Sequence, residues 1–173
     1  MAFPELVITA RLRLTRWDVR RHTDALAAVN AEPAAVEFLN DGIPYAPEET
    51  RRQSERFATH WQTHGFGLWA IERDDDVLGF TGLAHPLWFP DYAGEVEIGW
   101  RLHPSAWGRG YATEAAQAAV TAAAHLDLDR VIALIDPANI RSISVATRLG
   151  MTLETTVAHP QRPGEITIYT LAV

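Results

Sequence analysis

The chain has no cysteine. That excludes disulfides, zinc-thiolate centres and any acyl-thioester carried covalently on the protein. It has no lysine either: all 15 basic residues are arginine. Schiff-base chemistry, a phosphate-loop lysine and a lysine general base are excluded with it. No apolar stretch approaches the ~20 residues that span a bilayer. The N-terminus lacks a basic patch followed by an apolar block, so no secretory signal is expected and a cytoplasmic location is. There is no basic surplus. With 22 acidic residues against 15 basic ones the net charge is −7, which disfavours broad nucleic-acid binding. An anionic ligand therefore needs a local basic or backbone-dipole site.

What is present is the composition of a globular protein, 47% hydrophobic and 21% charged over 173 residues. That length suits one domain, 1–173, with a full core. Ile8 to Leu14 alternates apolar and polar residues and reads as a strand. Asp18 to Phe38 reads as helical, and Pro47-Glu-Glu-Thr50 opens a second helix that runs to about His64. Leu68 to Arg73 and Val77 to Ala84 read as strands joined at Asp74-Asp-Asp76. An aromatic loop follows, with Trp88, Phe89 and Tyr92, and then a strand over Glu95 to Leu102. An alanine-rich helix runs from about Gly110 to Leu126. A buried strand over Val131 to Ile135, a helix over Asn139 to Leu149 closed by Gly150, and two strands (Met151 to Val157, Ile166 to Ala172) complete the chain. This order implies a mixed α/β fold with one central mixed sheet and helices on both of its faces.

Trp107-Gly-Arg-Gly-Tyr-Ala-Thr-Glu-Ala115 precedes and opens the alanine-rich helix. Small residues at a helix start expose bare N–H groups, and the helix macrodipole favours an anion there. The stretch is a phosphate seat. A dinucleotide fingerprint puts its first glycine directly after a strand. Here loop residues 103–107 intervene, although Thr113 supplies a third small residue. A phosphate loop of the kinase type fails for want of Gly-Lys-Ser/Thr.

The remaining pattern resembles the GNAT superfamily of acyl-CoA-dependent N-acetyltransferases. Gly110-x-Ala112 matches the core of that family's cofactor motif, with Trp107 at its usual Gln/Arg position. The Trp-Gly-x-Gly-Tyr-Ala-Thr-Glu-Ala run is similar to the subgroup of ribosomal-protein N-terminal (alanine and serine) acetyltransferases. Thr9 to Leu14, Pro47 to Thr50, Glu97-Ile-Gly-Trp100, and Asn139 to Ser142 with Arg148-Leu-Gly-Met151 also resemble that subgroup in order and spacing. The resemblance implies a splayed sheet and acetyl-CoA as donor, with coenzyme A as product. It implies the pyrophosphate on amides of Gly108 to Ala112, with Tyr111 between them. Arg109 either adds charge at the rim or is a solvated arginine. The strand through Trp100, Arg101 and Leu102 is implied to pair with the pantetheine arm as an added strand would, one of its N–H groups polarising the thioester carbonyl.

Asn139 is an N-cap, a pantetheine contact, or both. The tyrosine acid of many relatives falls here on Ala146. The resemblance to the ribosomal subgroup passes that role to Ser142, as proton donor to the departing thiolate. An attacking amine must be neutral, which at pH 7 holds for about one α-amine in seven but about one lysine amine in 2,500. A base helps both. Glu95 and Glu97 share one side of their predicted strand, and Glu97 is the better placed for that role. Without cysteine, transfer is expected to be direct within a ternary complex. His85, His103, His125 and His159 are scattered in spacing, so no metal is expected. The acceptor class is an amine, either a peptide N-terminus or a small molecule, and similar proteins often form homodimers. The rival reading is a non-catalytic acyl-CoA sensor, with the seat but no base.

Overall fold

The computed structural model describes residues 2–173. Eight strands form one mixed sheet: β1 (Leu6–Ile8), β2 (Arg13–Arg16), β3 (Leu68–Arg73), β4 (Asp76–Ala84), β5 (Glu97–Leu102), β6 (Arg130–Ile135), β7 (Thr152–Ala158) and β8 (Glu165–Ala172). Their order is β1-β2-β3-β4-β5-β6-β8-β7. Every neighbouring pair is antiparallel except β5 with β6. The helices are α1 (Val19–Ala31), α2 (Pro33–Val36), α3 (Pro47–His64), α4 (Tyr111–Ala123) and α5 (Ile140–Arg148).

Local chemistry explains most of the boundaries. Asp18 caps α1 by accepting from the Arg21 N–H at 2.9 Å. The helical stretch expected over Asp18 to Phe38 is broken at Glu32, whose backbone is extended ahead of Pro33. At the start of α3 the Glu49 carboxylate accepts from the Ala46 N–H at 3.1 Å. The expected strand over Ile8 to Leu14 is corrected to two strands and a turn. Thr9 Oγ1 accepts from the Leu12 N–H at 3.0 Å and closes the chain on itself. Apolar alternation persists through that turn, but Ile8 and Ala10 are exposed while Leu12 and Leu14 are buried.

Successive residues of β3 show which helices cover which face. Glu72 accepts from Arg21 of α1 at 3.1 Å, and Arg73 donates to the Tyr111 hydroxyl of α4. Adjacent strand residues point to opposite faces, so α1 and α4 lie on opposite sides of the sheet. Ala115, Ala116, Ala119, Ala122 and Ala123 are all buried. Their small side chains let α4 lie close to the strands. No helix among the described residues is long and apolar enough to cross a membrane.

Candidate active site

The one parallel pair in the sheet is also its weakest seam. β5 and β6 share a single paired position, Glu97 with Ile132, held by the Ile132 N–H donating to the Val96 carbonyl at 2.9 Å. Beyond it the strands splay. The split opens into a cleft of about 2000 Å³. Residues of loop 103–110, the start of α4 and the start of α5 line it together.

Glu97 lies at the vertex of this split. Its pKa is raised to about 7, by burial first; the Trp88 side chain and the Leu134 backbone draw it back down. It still lines the cleft. Glu95, the other glutamate considered from the sequence, precedes β5. Arg130 engages its carboxylate at 2.7 and 3.2 Å, so it is committed to an ion pair.

Backbone pairing decides which groups of β5 face the split. The His103 N–H donates to the Leu78 carbonyl at 2.8 Å. By antiparallel alternation, the backbone groups of residues 97, 99 and 101 also face β4. Those of Ile98, Trp100 and Leu102 face the other way. The Leu102 carbonyl is already taken by the Trp107 indole N–H at 2.8 Å. This leaves the N–H and C=O of Trp100 and the N–H of Leu102 on the open edge. The backbone of Arg101 is directed to β4, and its side chain passes to the α1 face, where Nη1 donates to Asn30 Oδ1 at 2.6 Å.

At the mouth, Gly108 and Gly110 have φ of +73° and +78°, a conformation glycine adopts without strain. A Cβ on Gly108 would meet nothing within 4 Å, and one on Gly110 would meet only Arg11 Nη2 at 3.4 Å. Gly110 is the N-cap of α4 and no side chain caps the helix. The first turn-closing bond runs from the Glu114 N–H to the Gly110 carbonyl at 3.0 Å. The N–H groups of Tyr111, Ala112 and Thr113 therefore precede any intrahelical partner. Open space over bare amides at a helix start fits a phosphate-bearing group.

The other residues named from the sequence fall around this seat. Trp107 is held from above by Arg141 of α5, whose guanidinium lies 4.5 Å from its ring centroid. Tyr111 is buried, with Arg11 at 4.7 Å and Arg73 at 5.3 Å from its ring centroid. Ala112 lines the cleft, whereas exposed Arg109 does not. Asn139 caps α5, its Oδ1 accepting from the Ser142 N–H at 3.1 Å. Ser142 lines the cleft, and its hydroxyl has no hydrogen-bond partner among the described residues.

Two features were missed from sequence. The first is a histidine group on the cleft wall, with ring centroids 4.4 Å (His60–His64), 4.8 Å (His64–His85) and 5.7 Å (His60–His85) apart. His60 Nδ1 donates to the Phe66 carbonyl at 2.9 Å, since its Nε2 accepts from the His85 N–H at 3.0 Å. The i, i+4 spacing of His60 and His64 was the available signal. The second is the tie from Arg11 to Glu114, for which the sequence offered no signal of pairing.

A mixed sheet split between two parallel strands, with a glycine-turned helix start at the mouth of the split, is the fold class of the N-acetyltransferases. Residues 11–152 match the acetyltransferase (GNAT) domain family, and the chain belongs to that family. It is similar to the uncharacterized protein YkkB of Bacillus subtilis (strain 168), at 28% identity over 164 residues, 91% of each chain. An acetyltransferase structure from Agrobacterium tumefaciens str. C58 superposes with a TM-score of 0.76 at 29% identity, covering 99% of this chain and 95% of that one. RimL, a ribosomal L7/L12 α-N-protein acetyltransferase solved in complex with coenzyme A, superposes with a TM-score of 0.79 at 21% identity, covering 100% of this chain and 98% of that one.

Proposed function

We propose that this chain, acting as one unit over 1–173 in the cytoplasm, transfers an acetyl group from acetyl-CoA to a primary amine by direct attack in a ternary complex. We place a peptide N-terminal α-amine first among acceptors and a small-molecule amine second. The observation that carries this reading is Glu97, a half-buried carboxylate with its pKa raised to about 7, at the vertex of the split between β5 and β6.

Acetyl-CoA supplies a thioester carbonyl as electrophile and a thiolate as leaving group. The amides of Gly108 to Ala112 and the start of α4 hold its phosphates. The Trp100 N–H and C=O and the Leu102 N–H pair with its pantetheine arm, and an N–H on that edge polarises the carbonyl. Asn139 keeps the start of α5 in place and faces the same arm. Glu97 takes a proton from the amine, directly or through a water, so that the nitrogen lone pair is free to attack. A base with a pKa near the working pH suits that task. Ser142 gives its hydroxyl proton to the thiolate as the carbon–sulfur bond breaks, and recovers one from the newly bonded nitrogen, which sheds its positive charge as the amide forms.

The test is thiol release from acetyl-CoA across peptides beginning with Ala, Ser or Met and a panel of small amines. Amine-dependent release supports the reading. Tight coenzyme A binding with no release on any amine overturns it in favour of a non-catalytic sensor.

A further inference from the structure

Among the described residues, five arginines have no carboxylate partner: Arg20, Arg56, Arg101, Arg109 and Arg148. The ten others each form an ion pair with Asp or Glu. Arg20, Arg56, Arg109 and Arg148 are exposed, so water serves them. Arg101 is not. Its pKa is lowered by burial, with only Tyr45 acting to raise it, and it lines the cleft. Arg101 is half-buried, and a cation partly withdrawn from water without a counter-ion is unfavourable unless something compensates.

The surroundings of Arg101 are neutral and organised. Asn30 Nδ2 donates to Thr50 Oγ1 at 3.0 Å and to Gln53 Oε1 at 2.8 Å. Those bonds commit the amide nitrogen and turn Oδ1 toward Arg101. The Phe80 ring lies 5.3 Å and the Tyr45 ring 5.6 Å from the guanidinium carbon, within cation–π range. Asn30 is fully buried and Thr50 nearly so. The guanidinium is thus held in place by groups that leave its charge uncancelled. Arg52 and Arg56 line the same cleft.

The location matters as much as the charge. Arg101 and Glu97 are of the same parity on β5, so both point to the α1 face, away from α4 and its phosphate seat. Four strand residues put their Cα atoms about 13 Å apart.

We infer that Arg101 is a receptor for a carboxylate of the acceptor, so that this protein acetylates amines that carry a carboxylate several bonds from the reacting nitrogen. A planar guanidinium with free donors matches a carboxylate with two bonds at once. This inference rests on the acetyltransferase reading above and adds the acceptor class to it. An α-carboxylate on the amine-bearing carbon lies too near the nitrogen to span Glu97 and Arg101. A peptide with an acidic second residue, or an ω-amino acid, has the required reach.

The experiment compares matched acceptors: peptides with Glu or Gln at the second position, and ω-amino acids beside their amides. Wild type is expected to favour the carboxylate member at least tenfold in kcat/KM. Arg101→Gln is expected to abolish that preference through the acceptor KM, leaving the KM for acetyl-CoA unchanged. Arg101→Lys keeps part of it. Asn30→Asp leaves Arg101 in place and supplies an internal carboxylate, so it too is expected to flatten the preference. A preference unchanged in Arg101→Gln overturns the inference. So does a rise in the KM for acetyl-CoA instead, which assigns Arg101 to a donor phosphate. If no amine is turned over, the acetyltransferase reading fails separately. Calorimetric binding of the same pairs then decides: a carboxylate preference lost in Arg101→Gln upholds the receptor, and equal binding of each pair removes it.

Discussion

Arg11 and Glu114, 103 residues apart in sequence, meet at 2.6 Å through Arg11 Nε and Glu114 Oε2. Glu114 Oε1 also accepts from the Arg11 N–H at 2.8 Å and from Thr9 Oγ1 at 2.6 Å. Arg11 Nη1 donates to the Arg109 carbonyl at 2.8 Å. One guanidinium thus ties the turn between β1 and β2 to both the first turn of α4 and the glycine loop. Burial raises the Glu114 pKa, but hydrogen bonds from Thr9 and Arg11 outweigh it and hold the carboxyl below its ordinary value.

Arg11→Ala is therefore expected to loosen the loop over Gly108 to Gly110. Coenzyme A affinity should fall several-fold while the acceptor KM stays put. Glu114→Gln keeps one acceptor oxygen and should lose less. Calorimetry with coenzyme A on the two variants checks this, and equal affinity for Arg11→Ala and wild type would remove the tie from the seat.

Gly110→Asp puts a carboxylate at the N-cap of α4, the position proposed for a phosphate. Aspartate suits a helix start and tolerates positive φ better than most residues, so the fold should survive. Coenzyme A affinity should fall at least tenfold. Gly110→Ala carries the backbone strain of a positive φ, on the order of 1 kcal/mol, without the charge. It should bind better than the aspartate variant. Affinity retained in Gly110→Asp would move the phosphate elsewhere.

The parts of this fold legible in sequence were those set by local chemistry. Pro47 starts α3, and Asp74 and Asp75, at φ of 50° and 70°, turn the β3–β4 hairpin. Asn139 caps α5. What stayed hidden depends on partners distant in sequence. Glu95 and Glu97 look equivalent until Arg130, 35 residues on from Glu95, claims one of them. Arg101 reads in sequence as one residue of the cofactor-pairing strand, because the lack of a carboxylate partner for its side chain is a property of the packed cleft. The turn at Thr9 was concealed by alternation that continues through it.

The pKa of His60 is lowered to about 4, chiefly by burial. A group whose folded pKa lies below its unfolded value contributes stability above the unfolded value, and that contribution is lost as pH falls. The window here runs from about pH 6.5 down to about 4, and the loss is at most about 3 kcal/mol. His60→Gln, which cannot take up a proton, should flatten the stability profile across that window. Denaturant melts at pH 7 and pH 5 measure it. An acid sensitivity identical to wild type would show that His60 is already free to ionise.

Glu97→Gln should act on rate and stability in opposite directions. Glu97 as the proposed base would work ionised, so wild-type rate should rise with pH through about 7. The variant's deficit should shrink as the amine itself loses its proton at higher pH. For stability the sign is reversed. A carboxyl whose folded pKa is raised favours folding below its unfolded value, and that favour is lost as pH climbs to about 7. At pH 8 the wild type holds a half-buried charge that the glutamine variant lacks. The variant should then be the more stable by on the order of 1–3 kcal/mol. A variant as fast as wild type at every pH would remove Glu97 as base.

Ser142→Ala and Asn139→Ala separate chemistry from architecture at the start of α5. The Asn139 side chain caps the helix, so its loss should cost about 1 kcal/mol of stability and displace the cleft wall with it. Ser142 contributes only its backbone N–H to that cap. Its hydroxyl supports nothing in the fold, so alanine there should leave the melting curve nearly unmoved. If the hydroxyl protonates the leaving thiolate, kcat should fall while both KM values hold. Replacing the natural donor with an acyl thioester of a more acidic thiol should then restore much of the rate, because such a thiolate leaves without a proton. A deficit that persists with the better leaving group would place Ser142 outside the proton transfer, and a lowered melting temperature would make its role structural.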